Sequence, residues 1–312
     1  MQFKKPNFWD YKKPNWISKL LFPFTILLKI NNFYINNKKL FKSDKIKSIC
    51  IGNIYVGGTG KTPLTEKIYK MLVSLNYKTT TFKKYYPNQI DEQLILKKNT
   101  NFLTYKSRKK GLVEAIKKKY QVILFDDGLQ DKEIDYDLKF VCFNRETWVG
   151  NNCLIPAGPM REKLNSLKKF DAVFLNGEKK NLNLIIKSII KYNPKIKIFT
   201  TSYSIKNTRK FNKKFKYLIF SGLGNPANFK SLLSKYKFKI YKEILFPDHY
   251  RYNKKDIIKI LDEAKNNNLK IITTEKDYVK LPNIYKDRIE CININLKIDN
   301  EKNLINLIKK KI

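Results

Sequence analysis

The order of apolar and polar positions divides most of the chain into short strand-like and helix-like runs. From Lys47 onward, apolar runs of strand length alternate with amphipathic runs of helical period. The pattern predicts strands at 47–52, 78–82, 121–126, 139–143 and 171–176, with helices near 62–75, 110–119 and 182–192. Nearly continuous apolar strands separated by helices are typical of a parallel sheet that is covered on both faces. The pattern therefore predicts an α/β fold with a mostly parallel sheet.

A Lys-rich polar stretch at 206–216 interrupts this alternation. After it, the pattern predicts strands at 216–221 and 270–274, a helix near 226–236 and a C-terminal helix. Single hydrophobic cores rarely grow beyond about 250–300 residues, and this chain has 312. We therefore predict three segments, which are an N-terminal segment at 1–45, a larger α/β domain at 46–205 and a smaller α/β domain at 206–312.

The N-terminal segment carries a short amphipathic pattern between basic and tryptophan residues. Apolar residues recur there at helical spacing, and they are Ile17, Leu20, Leu21, Phe24, Leu27 and Leu28. The run is shorter than the roughly 20 residues of a membrane span, and no small-residue cleavage site follows it. A helix that lies in a membrane interface has this pattern. The alternative is a helix packed on the protein's own core, with Pro23 near a bend or start.

The chain is strongly basic, with a formal net charge of +38 from 65 Lys and Arg against 27 Asp and Glu. Such an excess is typical of a protein with an anionic partner. The charge is spread along the whole chain, however, as compositional drift would also produce. No arginine-rich arm or zinc-knuckle spacing indicates nucleic acid. The four cysteines have no C-x-x-C spacing and there is one histidine, which disfavours a zinc site and fits a reducing cytoplasm.

A glycine-rich loop follows the first predicted strand and opens a helix. Its glycines let successive backbone N–H groups point at phosphate oxygens, and the helix N-terminus favours an anion. Lys61 then reaches the β- and γ-phosphates, and the Thr62 hydroxyl ligates Mg²⁺. The first glycine of the usual phosphate-loop pattern is replaced by Tyr55, and an ordinary Gly-rich turn is the alternative. The predicted ATP-binding residues are Tyr55, Val56, Gly57, Gly58, Thr59, Gly60, Lys61 and Thr62.

Two carboxylates, Asp126 and Asp127, directly follow the apolar strand at 122–125. Carboxylates at the carboxyl end of a strand beside a phosphate loop are where such proteins hold their metal. A turn-forming Asp-Asp-Gly sequence is the alternative. With the upstream loop, the sequence predicts a Mg²⁺ site formed by Thr62, Asp126 and Asp127. These signals alone do not identify the group that receives the phosphate.

Several blocks in one order resemble the tetraacyldisaccharide 4'-kinase family. The blocks are IGNIYVGGTGKTP (51–63), DDGLQ (126–130), GNNCLIPAGPMREKL (150–164), FSGLGNPANF (220–229), FPDHY (246–250) and TTEKDYVKL (273–281). The loop alone is common to many NTPases, whereas IPAGPMRE, DDGLQ and TEKD together are specific. The family's loop also lacks the glycine that Tyr55 replaces. The resemblance implies a P-loop domain and a smaller C-terminal domain.

The resemblance also implies an activity. It is transfer of the γ-phosphoryl group of ATP, with Mg²⁺, to the 4'-hydroxyl of a tetraacylated glucosamine disaccharide 1-phosphate in lipid A biosynthesis. We expect a monomeric kinase at the cytoplasmic face of the bacterial inner membrane, held peripherally at the membrane surface by the N-terminal segment and without a nucleic-acid partner.

Matching positions carry the family's functional residues over to this chain. Asp91 and His249 correspond to its catalytic pair, in which the histidine orients the aspartate as a base. Arg161 and Glu162 correspond to its Arg-Glu pair near the nucleotide, and Gln130 to a glutamine whose role is left unassigned. For His249 a structural side chain, and for Arg161 and Glu162 a surface ion pair, are the alternatives.

Two departures from the family are visible. Lys84-Tyr85-Tyr86 stands where the family usually has Arg-Gly-Tyr, so the guanidinium fork is lost. Asp131 stands where the family has a histidine after the DDG-x-Q motif. We expect an active enzyme in which some substrate contacts differ. Two rival hypotheses are a P-loop NTPase that binds nucleic acid through its basic surface and a non-catalytic relative that binds nucleotide and lipid as a scaffold.

Overall fold

The structure, a computed structural model, describes residues 5–27, 30, 40–131, 133–177 and 182–312, except for the side chain of Asn88. The chain divides into two compact units. The larger unit comprises Lys5–Tyr85, Asn99–Ser202 and Ile298–Ile312, and the smaller unit comprises Tyr86–Lys98 and Tyr203–Lys297. Each unit is assembled from separate stretches of sequence. The three predicted segments, with boundaries near residues 45 and 205, stay a prediction.

The strands of the described residues are short, as expected of a parallel sheet. They are β1 Lys47–Gly52, β2 Thr79–Lys84, β3 Phe102–Tyr105, β4 Val122–Asp126, β5 Leu138–Asn144, β6 Ala172–Asn176, β7 Lys197–Ile205, β8 Lys216–Ser221, β9 Lys239–Leu245, β10 Lys270–Thr274, β11 Glu290–Ile292 and β12 Ile294–Ile298.

The α-helices follow most of these strands. They are α1 Trp16–Leu21, α2 Lys61–Ser74, α3 Ile90–Asn99, α4 Arg108–Lys117, α5 Leu182–Tyr192, α6 Pro226–Lys235, α7 Lys254–Asn266, α8 Glu275–Tyr278, α9 Asn283–Lys286 and α10 Glu301–Lys309.

The main sheet has eight strands in the order β12-β7-β6-β5-β1-β4-β2-β3. Strand β1 pairs in parallel with β4 and with β5, and β2 pairs in parallel with β4. Every residue of β4 and of β6 is buried, so side chains on both faces of the sheet are covered. A strand that is covered on both faces requires apolar residues at successive positions and not only at every second one. The predicted α/β fold with a mostly parallel sheet is confirmed.

The smaller unit has its own four-stranded sheet in the order β11-β10-β8-β9. The pairs β8–β9, β8–β10 and β10–β11 are all parallel. Strand β9 lies at one edge, and its side chains are mostly exposed or half-buried. One apolar cluster packs Leu218 and Phe220 against Ile257 and Ile260 of α7, and Tyr217 and Ile219 belong to a second cluster. The two clusters give this unit a core of its own.

The N-terminal segment buries two small polar residues and exposes several large apolar ones. Helix α1 is followed by a 3₁₀ turn at Phe22–Phe24 and by helical residues at 25–27. Ser18 and Thr25 are buried, whereas Trp16, Leu20 and Leu27 are exposed to 73%, 66% and 67%. For these residues, the alternative of a helix packed on the protein's own core is wrong. The rest of the predicted segment, at residues 1–4, 28–29 and 31–39, lies outside the described residues.

Several hydrogen bonds hold this segment on the loop at 150–157, and two of them involve side chains of the segment. The Trp9 indole Nε1 donates to the carbonyl of Pro156 at 3.0 Å, and the Asn151 side-chain amide donates to the Ser18 hydroxyl at 2.9 Å. Asn15 caps α1, since its side chain accepts from the Ser18 backbone N–H at 2.9 Å. Among the described residues, no helix combines the length and the apolar character needed to cross a membrane.

Candidate active site

The phosphate loop leads directly into α2. Gly57 and Gly60 have φ angles of 133° and 86°, a region that side chains with a Cβ adopt only with strain. Gly60 is the N-cap of α2, whose first residue is Lys61. The first-turn N–H groups of a helix have no intrahelical partner and carry the positive end of the helix dipole. The loop therefore has the backbone of an anion-binding site.

The two predicted acids meet this loop. Strands β1 and β4 are parallel neighbours, with Ile51 in register with Asp126, so their carboxyl ends lie at the same edge. The Thr62 hydroxyl donates to Asp126 Oδ2 at 2.8 Å, and Lys61 Nζ lies 3.7 Å from Asp127 Oδ2. Asp127 has a left-handed backbone, with φ of 61°. Lys61, Thr62, Asp126 and Asp127 are therefore brought together in the larger unit.

The segment that contains IPAGPMRE completes this cluster. Arg161 Nη1 donates to Gln130 Oε1 at 3.0 Å and lies 3.4 Å from Asp127 Oδ1. The Gln130 side-chain NH₂ group donates to Glu162 Oε1 at 3.0 Å and to the carbonyl of Asn53 at 2.8 Å. Gln130 therefore links the strand before the loop to the Arg161-Glu162 pair.

Two residues predicted to bind nucleotide, Tyr55 and Val56, also make contacts within the protein, and their role in nucleotide binding stays a prediction. The Val56 backbone N–H donates to the carbonyl of Pro159 at 2.9 Å. The Tyr55 hydroxyl donates to Asp10 Oδ1 at 2.9 Å, and Lys5 Nζ donates to that hydroxyl at 2.7 Å. Burial raises the pKa of the Tyr55 phenol. The start of the phosphate loop is therefore held by two other parts of the chain. Tyr55 contacts the N-terminal segment, and Val56 contacts the segment near residue 159.

A buried lysine, Lys83, is a member of this site that the sequence patterns did not indicate. Its ammonium group lies 3.0 Å from Asp126 Oδ2, and the side chains of Lys83 and Asp126 are 1% and 0% exposed. Buried charges are costly unless they are paired, so each of these two groups stabilises the other. The signal in the sequence was a lysine directly after the predicted strand at 78–82, and in the structure β2 extends to include it.

The two departures from the family contact each other. Lys84 Nζ lies 3.4 Å from Asp131 Oδ2 and 4.0 Å from Glu133 Oε1. The Arg108 guanidinium also pairs with Asp131, and it donates to the carbonyl of Asp127. Tyr85 does not have a positive φ, so this backbone position does not require glycine. The charge of Lys84 is thus matched by the acidic residue that replaces the histidine.

A second polar cluster lies in the smaller unit. His249 Nδ1 lies 2.8 Å from Asp91 Oδ1 and 3.0 Å from Asp91 Oδ2. Asp91 is in the first turn of α3, where the helix dipole favours a carboxylate. His249 follows β9 in a left-handed conformation, with φ of 59°, which costs on the order of 1–3 kcal/mol. The structure therefore brings together the two residues that only the family resemblance had paired.

The two lysines of the TTEKDYVKL segment (273–281), Lys276 and Lys280, surround this pair. Burial opposes ionisation of Asp91, but the hydrogen bond to His249 and the charges of Lys276 and Lys280 outweigh it. They hold the pKa of Asp91 below its ordinary value. Burial also opposes the charge on Lys276, yet the carboxylates of Glu92, Asp248 and Asp91 together raise the pKa of Lys276. Asp91 and Lys276 are therefore both charged at neutral pH. Sequence reasoning used the motif as a family signature and did not place its lysines.

Comparison with known proteins agrees with the order of the motifs. The family model for tetraacyldisaccharide-1-P 4'-kinase matches residues 17–90 and 87–312. The chain is 46% identical over 310 residues to the tetraacyldisaccharide 4'-kinase of Pelagibacter ubique (strain HTCC1062), which covers 99% of this chain and 98% of the relative. It is 33% identical over 326 residues to the Rickettsia bellii (strain OSU 85-389) protein of the same name, with 98% of each covered.

A solved structure shares the fold. The crystal structure of LpxK from Aquifex aeolicus, described as an "apo" form in complex with ATP, superposes with a TM-score of 0.70 at 22% identity. The match covers 94% of this chain and 99% of that protein. Because the family model and relatives above 30% identity both span nearly the whole sequence, this chain belongs to the tetraacyldisaccharide 4'-kinase family.

Proposed function

We propose that this chain transfers the γ-phosphoryl group of ATP to the 4'-hydroxyl of a tetraacylated glucosamine disaccharide 1-phosphate, a step of lipid A biosynthesis. Family membership supports the acceptor. The observation that carries the chemistry is the contact of Lys61 and Thr62 with the two acids, at 3.7 Å from Asp127 and 2.8 Å from Asp126. A lysine and a hydroxyl facing two carboxylates at the end of a parallel strand form the phosphate-handling part of a P-loop kinase.

The nucleotide is ATP in this proposal. The relative from Aquifex aeolicus was solved in complex with ATP, and the loop at 57–62 has the backbone conformation that such a ligand needs. The Asn53 side chain braces that loop from within, since it donates to Thr59 Oγ1 at 3.0 Å and to the carbonyl of Gly57 at 3.3 Å. Backbone N–H groups and Lys61 would hold the phosphates in place before transfer.

The donor set fits Mg²⁺. Thr62 offers a hydroxyl, and Asp126 and Asp127 offer carboxylates, all hard oxygen ligands of the kind this ion prefers. Mg²⁺ bound by only one or two protein carboxylates takes its other ligands from phosphate oxygens and water. When bound, the ion would offset the charge that develops on the transferred group. Lys83 would hold Asp126 in its position at this site.

Asp91 and His249 would assist the acceptor. A sugar hydroxyl is a weak nucleophile and loses its proton during transfer, so a positioned base accelerates the step. Asp91 would take that proton on its carboxylate, and His249 would keep the carboxylate oriented. In this structure Asp91 is buried and the His249 side chain is 22% exposed, so the histidine is the member of the pair that meets solvent. Arg161 would place a guanidinium near the phosphate-handling acids.

The enzyme would work at a membrane surface, on the cytoplasmic side where ATP is present. Trp16, Leu20 and Leu27 expose apolar side chains next to Lys12, Lys13 and Lys19. Burial of a large apolar side chain contributes about 1.5–3 kcal/mol, and each nearby lysine contributes about 1 kcal/mol at an anionic leaflet. Together these residues are sufficient for reversible binding to a bilayer that contains the acylated substrate.

The activity is tested by transfer of labelled γ-phosphate from Mg-ATP to the tetraacyldisaccharide 1-phosphate in mixed micelles. We expect labelled lipid from the wild type, and strong losses for Lys61→Ala and Asp91→Ala. Lys110→Met and Asp262→Asn, at exposed positions of the two units, should match the wild type. A folded wild type that binds ATP without labelling the lipid would contradict the proposal. Hydrolysis that depends on added nucleic acid would favour the rival function.

A further inference from the structure

The TTEKDYVKL segment (273–281) has a structural role that the proposed chemistry does not yet use. Its aspartate, Asp277, is fully buried and accepts four hydrogen bonds. The donors are the Thr274 hydroxyl at 2.7 Å, the Tyr252 hydroxyl at 2.8 Å, Lys280 Nζ at 3.0 Å and the Gly222 backbone N–H at 3.1 Å. A carboxylate with this many donors is fixed in place. Asp277 therefore sets the position from which the two lysines of this segment reach Asp91 and His249.

Lys280 stands between two carboxylates. Its ammonium group lies 3.0 Å from Asp277 Oδ1 and 3.5 Å from Asp91 Oδ2, and its side chain is 9% exposed. It also lies 5.2 Å from the centre of the Tyr252 ring, within the range of a cation–π contact. The first carboxylate fixes the lysine, and the lysine in turn reaches Asp91.

Lys276 reaches the opposite side of the histidine ring. Its ammonium group lies 2.7 Å from Asp248 Oδ1 and 3.4 Å from His249 Nε2. It is 3.8 Å from Glu92 Oε1 and 3.9 Å from Asp91 Oδ2. The groups that face His249 are thus Asp91 and Glu92 from α3, Asp248 from its own loop, and Lys276 from α8. Asp248 Oδ2 and Glu92 Oε1 lie 3.7 Å and 4.0 Å from Nε2, beyond hydrogen-bond distance, so Lys276 is the described group that is within hydrogen-bond distance of this nitrogen.

The chemistry of these neighbours permits one tautomer of the neutral ring. An ionised carboxylate can only accept, so the ring nitrogen at 2.8 Å from Asp91, Nδ1, must carry the hydrogen. An ammonium group can only donate, so the nitrogen that faces Lys276, Nε2, must present its lone pair. Asp91 and Lys276 therefore require the same arrangement, with the hydrogen on Nδ1.

We propose that Lys276 is a positioning residue that donates to His249 Nε2 and fixes the ring as the tautomer whose Nδ1–H is directed at Asp91. The inference rests on the proposed function for its catalytic consequence, because it assigns the TTEKD lysine to the proton-accepting pair. Removal of Lys276 leaves Asp91 as the sole partner that orders the ring. The ring then samples other tautomers and orientations, and the carboxylate is less often aligned for proton transfer.

The chain's single histidine makes the test direct. Untagged protein labelled with ¹⁵N-histidine gives ring signals from His249 alone, and the ¹⁵N shifts distinguish a protonated from an unprotonated ring nitrogen. When the ring is neutral, we expect a protonated Nδ1 and an unprotonated Nε2 in the wild type. A ring protonated on Nε2 overturns the proposal without any need for a variant.

Variants then test the part played by Lys276. Lys276→Met should populate a second tautomer and lower kcat about tenfold or more, with little change in the KM for ATP. Lys276→Arg, which keeps a donor, should recover much of the tautomer and of the rate. Lys255→Met, on an exposed position of α7, is the matched control. An unchanged ring spectrum and an unchanged rate in folded Lys276→Met would overturn the proposal.

Failure of the proposed function gives a different result. A wild type that transfers no phosphate but holds the predicted tautomer would contradict the kinase activity, while it would support the contact between Lys276 and His249.

Discussion

The two polar clusters of this protein are built in opposite ways. In the larger unit, the phosphate loop, Asp126 and Asp127 are adjacent because β1 and β4 are parallel neighbours. In the smaller unit, Asp91 and His249 touch although 158 residues separate them in sequence. Both clusters contain a residue in the left-handed region, Asp127 and His249. A site formed by one strand-loop-helix unit can be predicted from the sequence, whereas a site assembled from segments far apart in the sequence cannot.

The clusters also differ in how charge is balanced. The acids of the larger unit each have a cation close by, since Lys83 pairs with Asp126 and Lys61 lies near Asp127. In the smaller unit, Lys276 is shared among three carboxylates and Lys280 between two. Under the proposed function, the first arrangement would receive the phosphates of the nucleotide together with Mg²⁺. The second keeps one carboxylate, that of Asp91, ionised and oriented.

The roles of the two clusters are best distinguished by substituting one residue in each of them. Asp91→Asn should lower kcat by about 10²–10⁴-fold, the range for loss of a positioned base, and should leave the affinity for Mg-ATP unchanged. Lys61→Met should lower both the rate and the affinity. Calorimetry of nucleotide binding beside steady-state kinetics checks this, and equal losses of nucleotide affinity in both variants would contradict the division of roles.

The buried pair of the larger unit should matter most for stability. Lys83→Met leaves Asp126 buried without its ammonium partner, which we expect to cost about 3–5 kcal/mol in the free energy of unfolding. Asp126→Asn in the same chain should restore part of that loss, because the uncompensated charge is then gone. Urea denaturation of the single and double variants measures both effects. Additive losses in the double variant would show that the two side chains do not act as a pair.

The exposed face of the N-terminal segment gives a smaller, graded effect. Leu20→Ser and Leu27→Ser should each weaken binding to vesicles with anionic lipid by roughly tenfold, since each removes up to about 1.5–3 kcal/mol of apolar burial. Leu184→Ser on α5 is an equally exposed leucine, at 69%, and should have no effect. Co-sedimentation with vesicles measures the binding. If all three variants bind vesicles as tightly as the wild type, this face does not bind the membrane.

Removal of a lysine from the smaller cluster should shift the pH dependence of kcat/KM to higher pH. The pKa of Asp91 is held below its ordinary value partly by Lys280, so Lys280→Met should move the acid limb of kcat/KM to higher pH. The same lowered pKa contributes stability above the pKa of the unfolded state, and this contribution is lost as pH falls through the folded pKa. The stability difference between wild type and variant should therefore narrow in acid. An unmoved acid limb would count against Lys280.

The departures from the family should produce the smallest effect. Lys84 and Asp131 are partly exposed, and Lys84 Nζ lies 3.4 Å from Asp131 Oδ2. The coupling free energy between the two side chains should therefore be about 1 kcal/mol or less. A double-mutant cycle with Lys84→Ala and Asp131→Ala measures it, with stability and KM for the lipid as readouts. Arg108→Lys is a useful third variant, because Arg108 also pairs with Asp131. Zero coupling would mean that the two departures are independent.

Much of the fold was predictable because its strands are continuously apolar. Strand β1 matches the prediction at Lys47–Gly52, and α5 matches it at Leu182–Tyr192. Strands β3 and β9 were not predicted. Only one residue of β3 is buried, and β9 is an edge strand whose two lysines, Lys239 and Lys242, remain exposed. Helix α7 was also missed, although the capping box formed by Asn253 and Asp256 was a usable signal.

Some residues of the candidate site could be predicted from the sequence pattern alone, and others only from the family resemblance. Thr62 and Asp126 follow from the physics of a phosphate loop beside a strand end, without any family. Asp91 and His249 depended on the resemblance, because nothing local marks either residue as a member of a pair. Lys83 was missed because a lysine at a strand end is normally a solvated side chain. Which of its neighbours a lysine pairs with is decided by tertiary packing.

The most direct test of the account is the structure of the product. The wild type is incubated with Mg-ATP and tetraacyldisaccharide 1-phosphate, and the lipid is analysed by mass spectrometry and by phosphorus–proton correlation NMR. The account predicts one added phosphoryl group whose phosphorus correlates with the proton at the 4' carbon. Phosphate released into solution, or attached at any other position of the sugar, would contradict it.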